Sequence, residues 1–512
     1  MPPASQNSSP IRSRENDWSA ANLAGIALLT VAAFLVMGYH PGLEDDSFYL
    51  AAIKRNLNPA LFPHDADFFR LQFQATIFDK LIALSVRVTH LPVAWTALLW
   101  QCAAIFLLLH GCWRIARRCF SQSSAHWAAT AMVAALLTLP VSGTAITLAD
   151  QYLHPRTLAT AAILAAIVAV VDRRIWLAGL LLAIAFSIHA IMAAFGISFC
   201  AFLLWNLRSS SRHGTQLPAA AALLLPLGWI FEPASDAWRQ AASTRSFYHL
   251  ANWQWYEWLG VFAPLVLLYF FLRLWRRRSQ AEESTSALLP LLKALLYYGV
   301  FQTVAGLAIM LPPSLERLRP FEPMRYLHLL YLIFFLVAGG LLGRHLLNRH
   351  FYRWLLLFVP LSAGMFYAQR QMFPATEHIE WPGATSQNAW LQAFMWTRQN
   401  TPEDALFALD PHYVALPGED YHGFRALAER SVLADYDKDA GMAARVPRLA
   451  PRWLQEATAQ SGWKNFQAAD FQRLKNEFGV NWVIVAPSAF PGAPAVMTCP
   501  YSNRQLEVCR LY

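Results

Sequence analysis

The chain has 512 residues, of which 56% are hydrophobic and only 14% charged, whereas ordinary soluble domains carry roughly 25% charged residues. Together with a positive mean hydropathy, this excludes an ordinary soluble enzyme and points to a membrane protein. The formal charge of +9 does not indicate nucleic acid, because the basic residues fall in short clusters between apolar runs. These are Arg114, Arg117 and Arg118; Arg173 and Arg174; Arg208 and Arg212; Arg273, Arg276, Arg277 and Arg278; and Arg344, Arg349 and Arg353. They recur at every second turn of the chain, as the positive-inside rule requires of cytoplasmic loops.

A bilayer core needs about 20 apolar residues per helix. Apolar runs recur over the first 370 residues and predict about eleven spans, at 22–39, 92–111, 126–142, 153–171, 175–188, 190–207, 217–231, 258–275, 287–311, 326–343 and 354–369. The head "MPPASQNSSPIRSREND" is long and polar, and no small-residue cleavage site follows "LVMGYHPG". The first run is therefore expected to be a retained helix and not a signal peptide. The fifth and sixth spans share one apolar stretch that is too long for a single helix, and a tight turn near His189 resolves it. With the arginine clusters inside, an odd number of spans puts the N-terminus in the cytoplasm and the C-terminal part outside. A multi-pass protein of a bacterial-type inner (cytoplasmic) membrane is the expectation.

Four loops then share the outer face. The first, 40–91, begins with Glu44, Asp45 and Asp46 in "HPGLEDDSFYLAAIK" and includes "ATIFDKLIALSVRV", whose Ile77, Leu81, Leu84 and Val88 predict a helix along the membrane surface. The second is "SGTAITLADQYLHPR", the third is the aromatic "EPASDAWRQAASTRSFYHLANWQWYEW", and the fourth is "PPSLERLRPFEPMRY". Beyond residue 370 the composition changes, and "FPATEHIEWPG" leads as a linker into mostly polar sequence. A helix capped by Ser386 and ending before Pro402, followed by strands including "NEFGVNWVIVAP" and "LEVCRLY", predicts a small C-terminal α/β extracytoplasmic domain over 371–512. The transmembrane bundle covers 1–370. Of the six cysteines, Cys102, Cys112, Cys119 and Cys200 lie in or beside spans. Cys499 and Cys509 lie in the tail, where they are either a pair in an oxidising compartment or two thiols.

Charge beside the hydrocarbon boundary is costly unless hydrated, paired or used. Glu44, Asp45 and Asp46 fit the acidic first turn of a surface helix, a reading compatible with a functional one because a helix start holds carboxylates in fixed geometry. Around them stand Asp150, His154 and Arg156 at the start of the fourth span, His189 at the turn between the fifth and sixth spans, Arg245 and His249 in the third loop, and Arg317, Arg319, Glu322 and Arg325 in the fourth. A guanidinium at headgroup level suits a phosphate, gripped in a bidentate way, or serves as a snorkelling anchor. His64, Asp65 and Asp67 form at best a loose metal set. No Walker loop, GxSxG or dinucleotide fingerprint appears. The tail histidines His412 and His422 read as solvated, and no catalytic site is expected in the tail.

Paired acids directly after the first span, a second carboxylate before the fourth, basic residues in later outer loops and an outer C-terminal domain together resemble the GT-C superfamily of membrane glycosyltransferases. "LHPRTLATAAIL", "SIHAIMA", "TPEDALFALD", "ALAERSVLADYDKD" and "FGVNWVIVAP" look like segments of uncharacterised bacterial members. The resemblance implies a GT-C-like helical fold and an inverting transfer of sugar from a polyprenyl-phosphate-linked donor to an acceptor on the outer face of the membrane. It implies Asp45, Asp46 or Glu44 as the proton-accepting group, with Asp150 assisting, and His154, Arg156, His189, Arg245, Arg319 and Arg325 at the donor phosphate. Some members share a divalent metal, Mg2+ or Mn2+, between such acids and others do not, which leaves the cofactor open. The expected partners are the lipid-linked sugar and membrane lipids, not nucleic acid, and the acceptor is unnamed. The absence of a "WWDYG"-like signature points away from a protein asparagine as acceptor. The alternative is a transporter or flippase for a lipid-linked or polymeric substrate; against it, the two groups of spans show no internal repeat of the kind transporters often carry. A non-catalytic assembly protein is the third reading.

Overall fold

The computed structural model describes residues 17–209, 233–278, 286–487 and 496–512. Among the described residues, seven helices are long and apolar enough to cross a membrane: Ala20–Met37, Val93–Cys119, Ala190–Arg208, Trp255–Arg273, Leu288–Met310, Pro323–Leu347 and Phe351–Met372. Two shorter apolar helices, Pro155–Val171 and Ile175–Ile188, pack among them. The chain is a multi-pass helical membrane protein with a small C-terminal sheet domain. Nearly every predicted span has a helix at its place. The run expected at 217–231 lies outside the described residues. The third ends early, at Ala135, and continues as a short hairpin, Pro140–Val141 against Ile146–Thr147. The hairpin turn contains Gly143 at φ 64, with the Trp253 ring where a Cβ would stand.

Among the described residues, the arginine clusters gather at one end of the bundle. Arg114, Arg117 and Arg118 surround the buried Asp17 ahead of the first helix, and Arg118 also pairs with Asp172, 2.9 Å away. Arg173 donates to the Leu207 carbonyl at 2.9 Å, so Ile175–Ile188 and Ala190–Ser209 run antiparallel. They break at His189, as expected, where the backbone turns extended (φ −154, ψ 94). The opposite end carries the expected outer loops. Helix Phe78–Thr89 lies there with Leu84 and Val88 exposed and Phe78 and Ile82 buried.

The tail forms a five-stranded sheet in the order Ser431–Val432, Leu406–Ala408, Trp482–Val485, Glu507–Leu511, Met497–Ser502. The first three strands run parallel and the last two antiparallel. Cys499 and Cys509 are disulfide-bonded across the final hairpin. Helix Ala389–Asn400 is capped by Asn388, whose Oδ1 accepts from Leu391 N at 3.0 Å. Ser386, the expected cap, accepts instead from Asn388 N, two residues too early to satisfy a helical N–H.

The first loop is stitched between the linker and the tail. Tyr39 bonds to His378 and Glu380 through its backbone, while Gly42 and Glu44 bond to Gly423 and Tyr421. His422 is therefore buried and not solvated: His422 Nε2 and His40 Nδ1 both lie against Glu380 Oε1, at 2.9 and 2.8 Å. Asp65 is no metal ligand either. It pairs with Arg425, which also makes two 2.8 Å bonds to Asp439.

Candidate functional site

The acidic stretch owes its shape to backbone constraints on both sides. Gly42 (φ 83) and Glu44 (φ 52) both take left-handed conformations, which for glutamate is strained and persists only where the surroundings over-determine it. The cross-strand bonds to Tyr421 and Gly423 supply that determination. Helix Asp46–Leu57 starts immediately afterwards, and its first turn separates the neighbouring aspartates. Asp46 turns back and accepts from Gly42 N at 2.6 Å, buried. Asp45 turns outward and keeps 37% of its side chain open, facing a cavity of about 1040 Å³.

That cavity collects charge from five distant parts of the chain. Asp45 and Glu44 come from the first loop, Asp150 and Arg156 from the second, Arg245 from the third, Glu322 and Arg325 from the fourth, and Lys438 and Arg445 from the tail. Lys438 Nζ bonds Glu44 and lies 3.6 Å from Asp45 Oδ1. Arg156 pairs with Asp150 at the start of helix Pro155–Val171. Glu322 lies between Arg325, at 2.6 Å, and Arg445, at 3.0 Å. Arg245 donates to the carbonyls of Asp437 and Lys438, and its guanidinium fills the place where a Cβ on Gly441 would stand. The guanidinium of Arg156 is only partly used: its buried Nε and Nη1 have no hydrogen-bond partner among the described residues. Buried donors of this kind are costly when unpaired, and at a cavity wall they are available to an anion.

Electrostatics distinguish the two aspartates further. Burial works against ionisation of Asp45, but the positive charge of Lys438 leads a set of basic neighbours that more than offsets it and holds the carboxyl well below its usual range. Burial pushes Asp46 up to about 7, against the Gly42 N–H bond and Lys54. Thus the aspartate with the pKa nearer neutrality is the one that does not line the cavity.

Several expected ligands serve other roles. His154 caps its helix by accepting from Arg156 N at 2.9 Å, packs edge-on against Tyr49 and stacks with His189. Neither histidine lines the cavity. Arg319 lies 3.4 Å from His249 and also stands apart from the cavity, as does Asp46. The tail, where no catalytic site is expected, contributes Lys438 and Arg445 to the cavity wall. The local signal was present in "KDAGMAAR": two cations seven residues apart share one face of a helix, here Lys438–Arg445.

The acids do not assemble as a metal set. Glu44 and Asp45 are on Lys438, Asp150 on Arg156, and Glu322 on two arginines. Among the described residues, the one cluster with three ligand atoms close together is Cys499, Glu507 and Cys509, and its sulfurs are bonded to each other.

The far wall of the cavity is apolar. It includes Leu259, Ala263 and Leu267 of the helix Trp255–Arg278 and Phe334 and Phe335 of Tyr326–Leu342. Leu259 and Leu267 also have 56% and 44% of their surface exposed on the flank of the bundle. A charged pocket thus runs into an exposed apolar face.

Against known proteins, residues 388–448 match a family described as a domain of unknown function, DUF6798, a segment that contains Lys438 and Arg445. No curated protein matches. Among solved structures, the chain is similar to the crystal structure of the Archaeoglobus fulgidus oligosaccharyltransferase in its apo form, at 12% identity and a TM-score of 0.45, over 94% of this chain and 71% of that one.

Proposed function

We propose that the protein is a membrane glycosyltransferase of GT-C type that moves a sugar from a polyprenyl-phosphate-linked donor to an acceptor hydroxyl. The observation that carries this reading is the shape of the cavity: a cluster of arginines and an outward-facing carboxylate at one end, exposed apolar side chains at the other. An amphiphile with an anionic head and a long apolar tail fits both walls at once.

In this reading Arg156, Arg325 and Arg445 receive the donor phosphate. A partly dry site strengthens their hold on the charge that grows on the leaving phosphate as the glycosidic bond breaks. Asp45 accepts the proton of the acceptor hydroxyl as its oxygen attacks the anomeric carbon. A carboxylate with so depressed a pKa is a weak base on its own. The incoming phosphate offsets the same cations that depress it, which raises its proton affinity only once the donor is bound. Asp46, hydrogen-bonded to Gly42 N, holds the loop that presents Asp45. The positive-inside rule applied to the arginine clusters supports a cavity on the outer side of a bacterial-type inner membrane.

Native mass spectrometry of the purified protein tests the donor: a co-purifying polyprenyl phosphate or its glycosylated form is expected. Retention of ordinary headgroup lipids with repeated absence of any polyprenyl phosphate refutes the assignment.

A further inference from the structure

Two adjacent carboxylates at a cavity mouth need a cation to hold them, and here that cation comes from the far end of the same chain. Lys438 Nζ bonds Glu44 Oε2 and stands 3.6 Å from Asp45 Oδ1, with only 8% of its side chain exposed. Its position is fixed by contacts that do not involve the two acids. Asp435 Oδ1 accepts from Lys438 N, and the Arg245 guanidinium is bonded to the Lys438 carbonyl at 3.2 Å. One residue on, Asp439 is held by Arg425 through two 2.8 Å bonds. A surface lysine would swing freely on its four-carbon stem; this one is delivered to the acids by a helix secured at three points.

We infer that the Lys438 ammonium is a tethered cation standing where a divalent metal ion would bridge Glu44 and Asp45, so that these acids are organised without metal. The difference is chemical as well as geometric. An ammonium carries one charge and offers three N–H donors, and it cannot accept an oxygen lone pair as a Lewis acid does. It therefore orients Asp45 and steadies Glu44 while leaving the substrate's phosphate to the guanidinium groups. Burial works against the charged lysine, but Glu44 and Asp45 outweigh it and raise its pKa, which keeps it cationic across the physiological range. Lys438 is thus a positioning residue. Its link to sugar transfer rests on the function proposed above; its role as the cation between the two acids does not.

The test needs no substrate. Full-length protein in detergent micelles is titrated with Mn2+, and free ion is read by electron paramagnetic resonance. The wild type is expected to show no uptake that depends on Asp45. Lys438→Ala leaves the acids uncompensated and is expected to take up one Mn2+ per chain, with a Kd on the order of 10⁻⁴–10⁻³ M, typical of weak oxygen-ligand sites. Adding Asp45→Asn to that variant abolishes the uptake. Lys438→Gln provides a second neutral variant of closer size should the alanine protein fail to fold, and Lys438→Arg, which keeps the charge, is expected to exclude Mn2+ as the wild type does. Asp45-dependent Mn2+ binding to the wild type, within threefold of the alanine variant's affinity, overturns the inference. So does a folded neutral variant that takes up no Mn2+. A protein that excludes Mn2+ as expected yet transfers no sugar keeps this inference and loses the proposed function.

Discussion

Replacing Arg425 with methionine tests what holds Lys438 and Arg445 in place. Arg425 is 4% exposed and its two partners, Asp65 and Asp439, are fully buried. Its guanidinium donates once to Asp65 and twice to Asp439, tying the first loop to the start of helix Lys438–Arg445. Removing one partner of a buried pair costs about 3–5 kcal/mol, because the remaining charge stays buried. If that cost falls on local opening of the helix, each 1.4 kcal/mol being tenfold, amide exchange over 438–445 accelerates by roughly two to three and a half decades. Hydrogen exchange read by mass spectrometry on peptides from this segment, compared with the wild type at one pH, measures it. Burial already pushes Asp439 up to about 7 in the presence of Arg425. Without the arginine it protonates more readily still, so the acceleration is smaller at pH 5 than at pH 8. Adding Asp65→Asn and Asp439→Asn removes the stranded charges and restores protection. Exchange within threefold of the wild type at pH 8 in the single variant refutes the proposed tether.

Asp45→Asn is expected to abolish transfer while leaving the melting temperature in detergent nearly unchanged; a fully active, folded variant removes the proposed base. Asp46→Asn acts differently. Its carboxyl is raised to about 7 from an ordinary 3.8, so the folded state binds the extra proton between those values and loses stability as pH rises through them. The variant should melt higher than the wild type at pH 8 and alike at pH 4, and equal melting at both refutes the assignment. Glu380→Gln cuts the bridge to His40 and His422. Burial raises Glu380, but the two histidines outweigh it and hold it at about 2, a contribution present above its ordinary 4.5 and lost as pH falls towards 2. His422 is raised above 6.5 despite burial, by Glu380, a contribution present below 6.5 and lost as pH climbs past the raised value. Differential scanning fluorimetry should therefore show the largest loss, about 1.5–3 kcal/mol, between pH 4.5 and 6.5. Arg445→Gln should reduce co-purified polyprenyl phosphate without changing the retained headgroup lipids.

Span positions were legible in the sequence because hydrocarbon thickness sets a length that hydropathy alone can read. The helix break at His189 followed from the same rule, since the mostly apolar stretch 175–205 is too long for one crossing. The hairpin after Ala135 was not legible: "LLTLPVSGTAITLA" is as apolar as a span, and its Gly143 turn packs against Trp253, a residue far away in the sequence. In the cavity, Asp45, Asp150, Arg156, Arg245 and Arg325 were within reach of reasoning because each stands where a span begins or a loop returns to the membrane. Which aspartate faces inward was not, since that depends on the left-handed turn at Glu44. Lys438 escaped for a different reason. Its partner lies 394 positions away, and no periodicity or spacing connects residues so far apart.

That separation has a consequence for how the protein is made. Glu44 emerges from the ribosome long before Lys438, so the first loop is made before the lysine that holds its acids. A chain stopped at residue 437 would have all of its described spans yet lack both cations that the tail brings to the cavity. The order of synthesis therefore makes the last quarter of the chain a completion signal: the charged chamber closes electrically only when the sheet domain has folded against the loops that were made first.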